Sequence, residues 1–277
     1  ESEEVATAIE DQYLPSPGQE NYPETFTGSI LSLADKMDNI VSSFSLGRVP
    51  SGSTDPFGLR RQAQSIINIL LNRCWYFNLK EWISWNLDIL IEQGFINRTN
   101  SISEEVIQFI MSRFRYYLLE SGMNYSIVNA VLNVSSHDIY DIYLRIRAFQ
   151  KLFESKRDFF EAMITGFSRA NNITKNYQNL PSVEVSLFEE EVERRLFEAL
   201  KNVEKDFFPA IQRGDYTLAC EVFSSLLPPL NQYFDDVLVM TDSEPIRNNR
   251  LSLLKKIVEL WRPIADLSQI VFQEEPK

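Results

Sequence analysis

Residues 235–254 read DDVLVMTDSEPIRNNRLSLL, and the fold is decided by how this stretch is read. Thr241 and Glu244, three apart, form the pattern in which two side chains satisfy orphan amides at a helix start. Pro245 is tolerated there because first-turn amides have no acceptor inside the helix. The helix that follows, predicted over 243–268, carries Arg247 and Arg250 one turn apart with Asn248 and Asn249 between them. Leu253, Leu254, Ile257 and Trp261 supply its apolar stripe. A helix that packs by one face and offers guanidinium and amide groups near its start suits a phosphate backbone or splayed bases. The plain alternative is a surface helix with two solvated arginines.

The same periodicity governs the rest of the chain. A short helix over 1–14 is stopped by Pro15 and Pro17, and a polar loop follows to Thr25. Ile30, Leu33, Ala34, Met37, Ile40, Val41 and Phe44 form the next stripe. A turn-rich loop over 47–56 ends with Asp55 as helix cap and Pro56 at the first helical position. Leu59, Ala63, Ile66, Ile67, Leu70 and Leu71 are the buried face beyond it, with Arg60 and Arg61 in the first turns. Trp75, Trp82, Trp85 and Ile89 read as core or domain-contact residues. Ser101 with Glu104 marks another helix start, with Val106, Ile107, Ile110, Phe114, Tyr117 and Leu118 on one side and a stop at Gly122.

A second helical region starts at Tyr125, with helices expected near 126–133, 136–150, 156–175, 183–207, 215–228 and 229–239 before the one described above. The helix over 183–207 has a start at Ser186–Glu189, a stripe of Phe188, Val192, Leu196, Ala199 and Val203, and Glu–Arg pairs at 190/194 and 191/195. Nothing alternates as a β-strand. The fold class expected is all-α.

Composition narrows the function classes. The chain has 277 residues, 44% of them hydrophobic, with 19 phenylalanines and nine glycines, enough for one large core or two ordinary ones. It opens on ESEEVATAIE, without Met or a leader pattern, and is expected to be a fragment of a longer protein. No run reaches the ~20 apolar residues that span a bilayer, so no membrane partner is expected. Cys74 and Cys220 read as two buried free thiols of a reducing compartment. The sequons at Asn97, Asn124, Asn133 and Asn172 then carry no glycan. The net charge is −12, but residues 59–175 hold fourteen bases against eleven acids. A locally basic middle permits phosphate contacts without steering by the whole field.

Catalytic chemistry finds little footing. His137 is the one histidine, and Ser136-His137-Asp138 at a helix start reads as capping rather than a triad. Glycine-rich phosphate loops are absent, and two cysteines with one distant histidine make no zinc set. No catalytic residue and no metal ligand is therefore assigned.

Several segments line up with one family. LADKMD at 33–38, PSGSTDPFGLRR at 50–61, FRYYL at 114–118, FDDVLVM at 234–240 and IRNNRL at 246–251 resemble the C-terminal half of the β subunit of bacterial heterotetrameric glycyl-tRNA synthetase. The loop ending in DPFGLRR is the most specific, and the segments cover the chain in the family's order. The resemblance implies two helical modules. Residues 1–100 would be the end of a domain similar to the HD phosphohydrolase fold, and residues 101–277 an anticodon-binding bundle like that of arginyl-tRNA synthetase. Asp35 falls where an HD enzyme has its last metal-ligand aspartate, but the preceding histidines and His-Asp pair are missing, so the correspondence is structural at most. The resemblance also implies a cytoplasmic subunit of glycine–tRNA ligase whose partners are tRNA(Gly) and the α subunit. ATP and Mg²⁺ are used by that α subunit, and no cofactor is expected in this chain.

The residues that match the family's pattern are Arg169 and Asn172, with Ile173, and Arg247 and Arg250. The more basic form of the Arg169 region is thinned here to Ser-Arg-Ala-Asn-Asn. Arg145, Arg147 and Lys151 are candidate backbone contacts, and Arg60 and Arg61 candidates for another part of the tRNA or the partner subunit. A helical scaffold that mainly holds the α subunit is the alternative, and a metal-dependent phosphohydrolase a third reading that a single histidine makes hard to build.

Overall fold

The computed structural model describes residues 2–15, 21–97, 100–134 and 137–270, with the side chain of Asn100 left aside. Among these residues the protein is all-α, with no β-strand. Two compact units are built from them, 1–122 with 136–143, and 123–135 with 144–277.

In the first unit, α1 (Glu3–Asp11) packs on α2 (Phe26–Ser45), which packs in turn on α3 (Leu59–Arg73), α4 (Leu79–Glu92) and α5 (Asn100–Glu120). The apolar stripes explain this arrangement. Met37, Ile40 and Val41 of α2, Ala63, Ile66, Ile67 and Leu70 of α3, and Val106, Ile110, Phe114 and Leu118 of α5 are all fully buried. Ile30, read as part of the α2 stripe, is instead exposed. Burying each Ile, Leu or Phe contributes roughly 1.5–3 kcal/mol before conformational entropy is counted. Because α5 buries its stripe against α2, α3 and α4, residues 101–122 belong with the first unit, and the division differs from the boundary at 100 and 101 that the sequence suggested.

Helix α1 is seated by a close backbone approach. Asp11 is buried and accepts from the amide and hydroxyl of Thr25, and Thr25 in turn caps α2 by accepting from the Gly28 amide. A Cβ on Gly28 would lie 2.4 Å from Asp11 Cβ, so only glycine admits this contact.

Two helix starts in this unit lie elsewhere than expected. Helix α5 begins at Asn100, which puts Ser101 inside its first turn rather than ahead of it. Helix α3 begins at Leu59 after Gly58 at φ +64, a left-handed position that a side chain disfavours. Asp55 still does the capping, from four residues away: its two carboxylate oxygens accept from the amides of Leu59 and Arg60. Of the aromatic group on α4, Trp82 is buried, whereas Trp85 and Ile89 are 59% and 52% exposed. Cys74 is also exposed, at a left-handed position ending α3, while Cys220 is buried, so only one of the two thiols is a core residue. Burial raises the Cys220 thiol far above its usual range.

The second unit comprises α6 (Tyr125–Leu132), most of α7 (Ile139–Ser155), α8 (Arg157–Thr174), α9 (Glu191–Gln212), α10 (Tyr216–Ser224), α11 (Leu227–Asp236) and α12 (Glu244–Trp261). Helix α7 is capped by Asp138, whose carboxylate accepts from the Asp141 amide; Ser136 lies outside the described residues. Helix α12 packs on α8, and α9 on α10 and α11. Trp261, at the end of α12, is fully buried among Phe149, Phe207 and Phe223, with ring centroids 4.9–5.7 Å away.

The start of α9 was expected at Ser186–Glu189 but lies at Glu191. The capping pair is Glu190 with Glu193, whose carboxylate accepts from the amides of Glu189 and Glu190. A 3₁₀ turn, Val185–Leu187, occupies the earlier stretch. Arg195 pairs with Glu191 in solvent as the spacing suggested, whereas Arg194 donates to the Phe188 carbonyl.

Candidate nucleic-acid interface

Helix α8 ends at Thr174, and the chain leaves it as the polar run Asn176-Tyr177-Gln178-Asn179. That run forms one wall of an open groove of about 510 Å³ in the second unit. The opposite wall comes from Met240, Thr241 and Asp242, which lead into α12, and from Glu244, Arg247 and Asn248 of its first turns. Ser243 precedes α12, so Thr241 is not its cap. Instead the Thr241 carbonyl accepts from Arg247 Nη1 at 3.0 Å, which tethers the loop to the helix and holds the side chain of the partly buried Arg247 in the groove.

The lining fixes what the groove can bind. Four side-chain amides present donors and acceptors together, Tyr177 offers a ring for stacking, and Arg247 a planar fork. Two carboxylates, Asp242 and Glu244, accompany the one arginine. Phosphate is disfavoured by that balance, because like charge at short range is repelled. Base edges suit it, because carboxylates accept from exocyclic amines and amides pair with Watson–Crick edges.

The other candidates from the sequence separate into three groups. Arg169 and Asn172 are exposed on α8, three residues apart and so on one face. The Arg169 guanidinium lies 4.3 Å from the centre of the Phe234 ring, a cation–π contact that orients it without consuming its charge. Asn172 leads by one turn to Asn176 of the groove wall. Arg147 and Lys151 are exposed on α7, also one turn apart.

A second group serves the fold. Arg145 donates to the carbonyls of Pro263 and Ile264 and lies over Tyr216, clasping α7 to the end of α12 and to α10. Arg60 donates Nη2 to the Gly52 carbonyl at 2.9 Å and latches the loop ahead of α3. Arg61 is exposed in the same unit, its guanidinium folded over Gly58. Arg145 and Arg60 thus each spend guanidinium donors within the fold.

Arg250 is the sharpest correction. It is 5% exposed. Nε and Nη2 donate to the carboxylate of Glu193, itself fully buried, at 3.0 and 3.3 Å; Nη2 also reaches Glu189 at 3.1 Å and Nη1 the Leu238 carbonyl at 3.0 Å. Burial lowers its proton affinity, but the hydrogen bond and charge of Glu193 outweigh that and hold the guanidinium above its ordinary value. Tyr233, beside the pair, is raised by burial and by the charge of Glu193. A planar fork held by a buried carboxylate is an internal strut between α9 and α12, unsuited to meet RNA.

Asn249 was missed as a positioned group. It is 1% exposed and clamps Glu184, its Oδ1 accepting from the amide at 2.8 Å and its Nδ2 donating to the carbonyl at 3.0 Å. The groove residues of 176–179 were also missed; a signal was present in their run of amides after a helix end.

Elsewhere, Asp35 is exposed on α2, and among the described residues no group of three metal-ligating side chains converges. The His137 carbonyl accepts from the Leu79 amide, and burial with the charge of Lys80 keeps its imidazole below the usual range. No described helix is long and apolar enough to cross a membrane.

The family model described as glycyl-tRNA synthetase beta subunit matches residues 1–133, and the model described as DALR anticodon binding domain matches 163–267. Relatives named glycine--tRNA ligase beta subunit include those of Halothermothrix orenii, 34% identical over 99% of this chain, Shouchella clausii, 36% over 98%, and Desulforamulus reducens, 36% over 99%. The chain spans 39% of the length of each of these relatives.

Proposed function

Because the chain belongs to the glycyl-tRNA synthetase β-subunit family, we propose that it is the tRNA-binding part of a glycine–tRNA ligase β subunit, holding tRNA(Gly) so that a separate α subunit can glycylate it. The observation that carries this reading is a coincidence of place. Both walls of the amide-lined groove, 176–180 and 240–248, fall inside the residues matched by the anticodon-binding model. Anticodon loops expose unstacked bases whose edges a helical surface with Arg, Asn and Tyr can read. The groove then receives anticodon bases, and Arg169, Asn172, Arg147 and Lys151 meet the adjoining backbone. In this reading ATP and Mg²⁺ belong to the α subunit, this chain contributes no catalytic group or cofactor, and the assembly works in the cytoplasm.

Titrating the full-length protein with tRNA(Gly) and with the same tRNA changed at one anticodon base tests the assignment. Arg247→Ala is expected to weaken tRNA(Gly) by roughly 1–3 kcal/mol while narrowing the gap between the two tRNAs. Lys151→Ala should weaken both equally and reduce the salt slope of binding by about one. Equal affinity for both tRNAs in the unmodified protein would overturn the anticodon reading.

A second role is favoured in the first unit. Trp85 and Ile89 stand one turn apart on α4, both more than half exposed, which is unusual for large apolar groups and typical of protein contacts. We assign this face to the α subunit. Replacing both by Glu should release the α subunit in a pull-down and leave tRNA affinity unchanged; retained α subunit would refute it.

A further inference from the structure

We propose that Asn249 and Arg250 are positioning residues that set the width of the groove by anchoring its two walls to one turn of α12. The inference rests on the tRNA reading above and extends it to residues that touch no RNA. Four consecutive side chains divide their work: Arg247 and Asn248 line the groove, while Asn249 and Arg250 point inward and are 1% and 5% exposed.

Each inward residue grips the backbone of a different wall. One wall, 176–180, is held at its beginning by the Tyr177 amide, which donates to the Thr174 carbonyl at the end of α8. Its continuation is held at Glu184, where the Asn249 amide group satisfies both the N–H and the C=O of a single residue. The other wall starts two residues after Leu238, whose carbonyl is taken by Arg250 Nη1. Arg250 cannot swing away, because Glu193 holds its Nε and Nη2. Between these anchors residues 176–183 and 239–243 have no regular secondary structure, so these two stretches owe their placement to side-chain bonds radiating from α12. A buried amide making two backbone bonds is strongly directional, and losing it frees the segment it holds. A groove that reads base edges depends on donor and acceptor positions within a few tenths of an ångström.

The test compares full-length Asn249→Ala with the unmodified protein, using tRNA(Gly) and its anticodon-changed counterpart, with amide hydrogen exchange on both proteins. Asn249→Ala is expected to weaken tRNA(Gly) about tenfold and reduce discrimination, although it removes no RNA contact. The salt slope should stay unchanged, since no phosphate partner is lost. Exchange should quicken across 176–184 and not in α9. Arg250→Lys, which keeps the charge but not the fork, should quicken exchange across 238–242.

Unaltered discrimination in Asn249→Ala, while Arg247→Ala and Tyr177→Ala lose it, would overturn this inference and leave the tRNA reading standing. If none of the three changes discrimination, the tRNA reading itself fails. Should Asn249→Ala not fold, exchange in the unmodified protein decides. Slowing at 176–184 and 238–242 on adding tRNA(Gly) supports the anchors, and slowing at neither overturns them.

Discussion

Replacing Arg250 by Met is expected to destabilise the protein by about 3–5 kcal/mol, seen as a lower urea midpoint at unchanged slope. The reason is the partner left behind. Glu193 is fully buried and faces Arg250 Nε at 3.0 Å, so truncating the arginine leaves a buried carboxylate with only the Glu189 and Glu190 amides as donors, on a helix that also buries Leu196 and Phe197. Glu189 contributes little to the loss, because its side chain is 55% exposed and water screens such pairs. Adding Glu193→Leu to Arg250→Met should recover much of the stability, since apolar groups often replace a buried ion pair at no net cost. The double variant should nevertheless bind tRNA poorly, because the Leu238 carbonyl loses its donor in either case. A loss below about 1 kcal/mol in the single variant would mean that water reaches the pair, contrary to its burial.

Trp261→Ala is expected to cost about 3–5 kcal/mol, measured in the same way. The indole touches rings from α7, α9 and α10 at once, and no single neighbour can move to fill the space without leaving another gap. Trp261→Phe should cost much less than its lost area implies. The indole Nε1 is buried without a hydrogen-bonding acceptor among the described residues, so removing it also removes an unsatisfied donor. If Phe and Ala prove equally costly, the indole nitrogen has a partner and the aromatic cluster is not what locks α12 in place.

Much of the fold was legible in the chain because apolar spacing of three and four residues directly encodes which face of a helix is buried. Met37, Ile40 and Val41, or Val106, Ile110 and Phe114, could be read as core from spacing alone, and they are. Helix starts were less legible, since a Ser or Thr three residues before a Glu marks a start only where the chain actually turns. Asp55 shows the difficulty: its carboxylate caps α3 from ahead of a left-handed glycine, a route that spacing does not reveal. Trp85 was read as core or domain contact, and its exposure removes the core alternative, since a helix buries only one side and α4 has apolar residues on more than one.

The candidate site divides along the same line. By itself the sequence determined an all-α chain, a helix beginning near residue 244, a cluster of Arg and Asn at its first turns, and the segments that carry the family resemblance. Only the tertiary structure decided which of those four side chains meet solvent. Each residue turns about 100° around a helix, so Arg247 and Arg250 lie on nearby but not identical faces, and both look equally suited to the surface. What separates them is Glu193, 57 residues away, which sits in register with the apolar stripe of α9 and makes burial of a guanidinium tolerable. The same distance in sequence hides Asn249, whose partner Glu184 lies 65 residues back. A charged or amide side chain is buried only when a matching group arrives from another element, and that match is a property of packing rather than of local pattern.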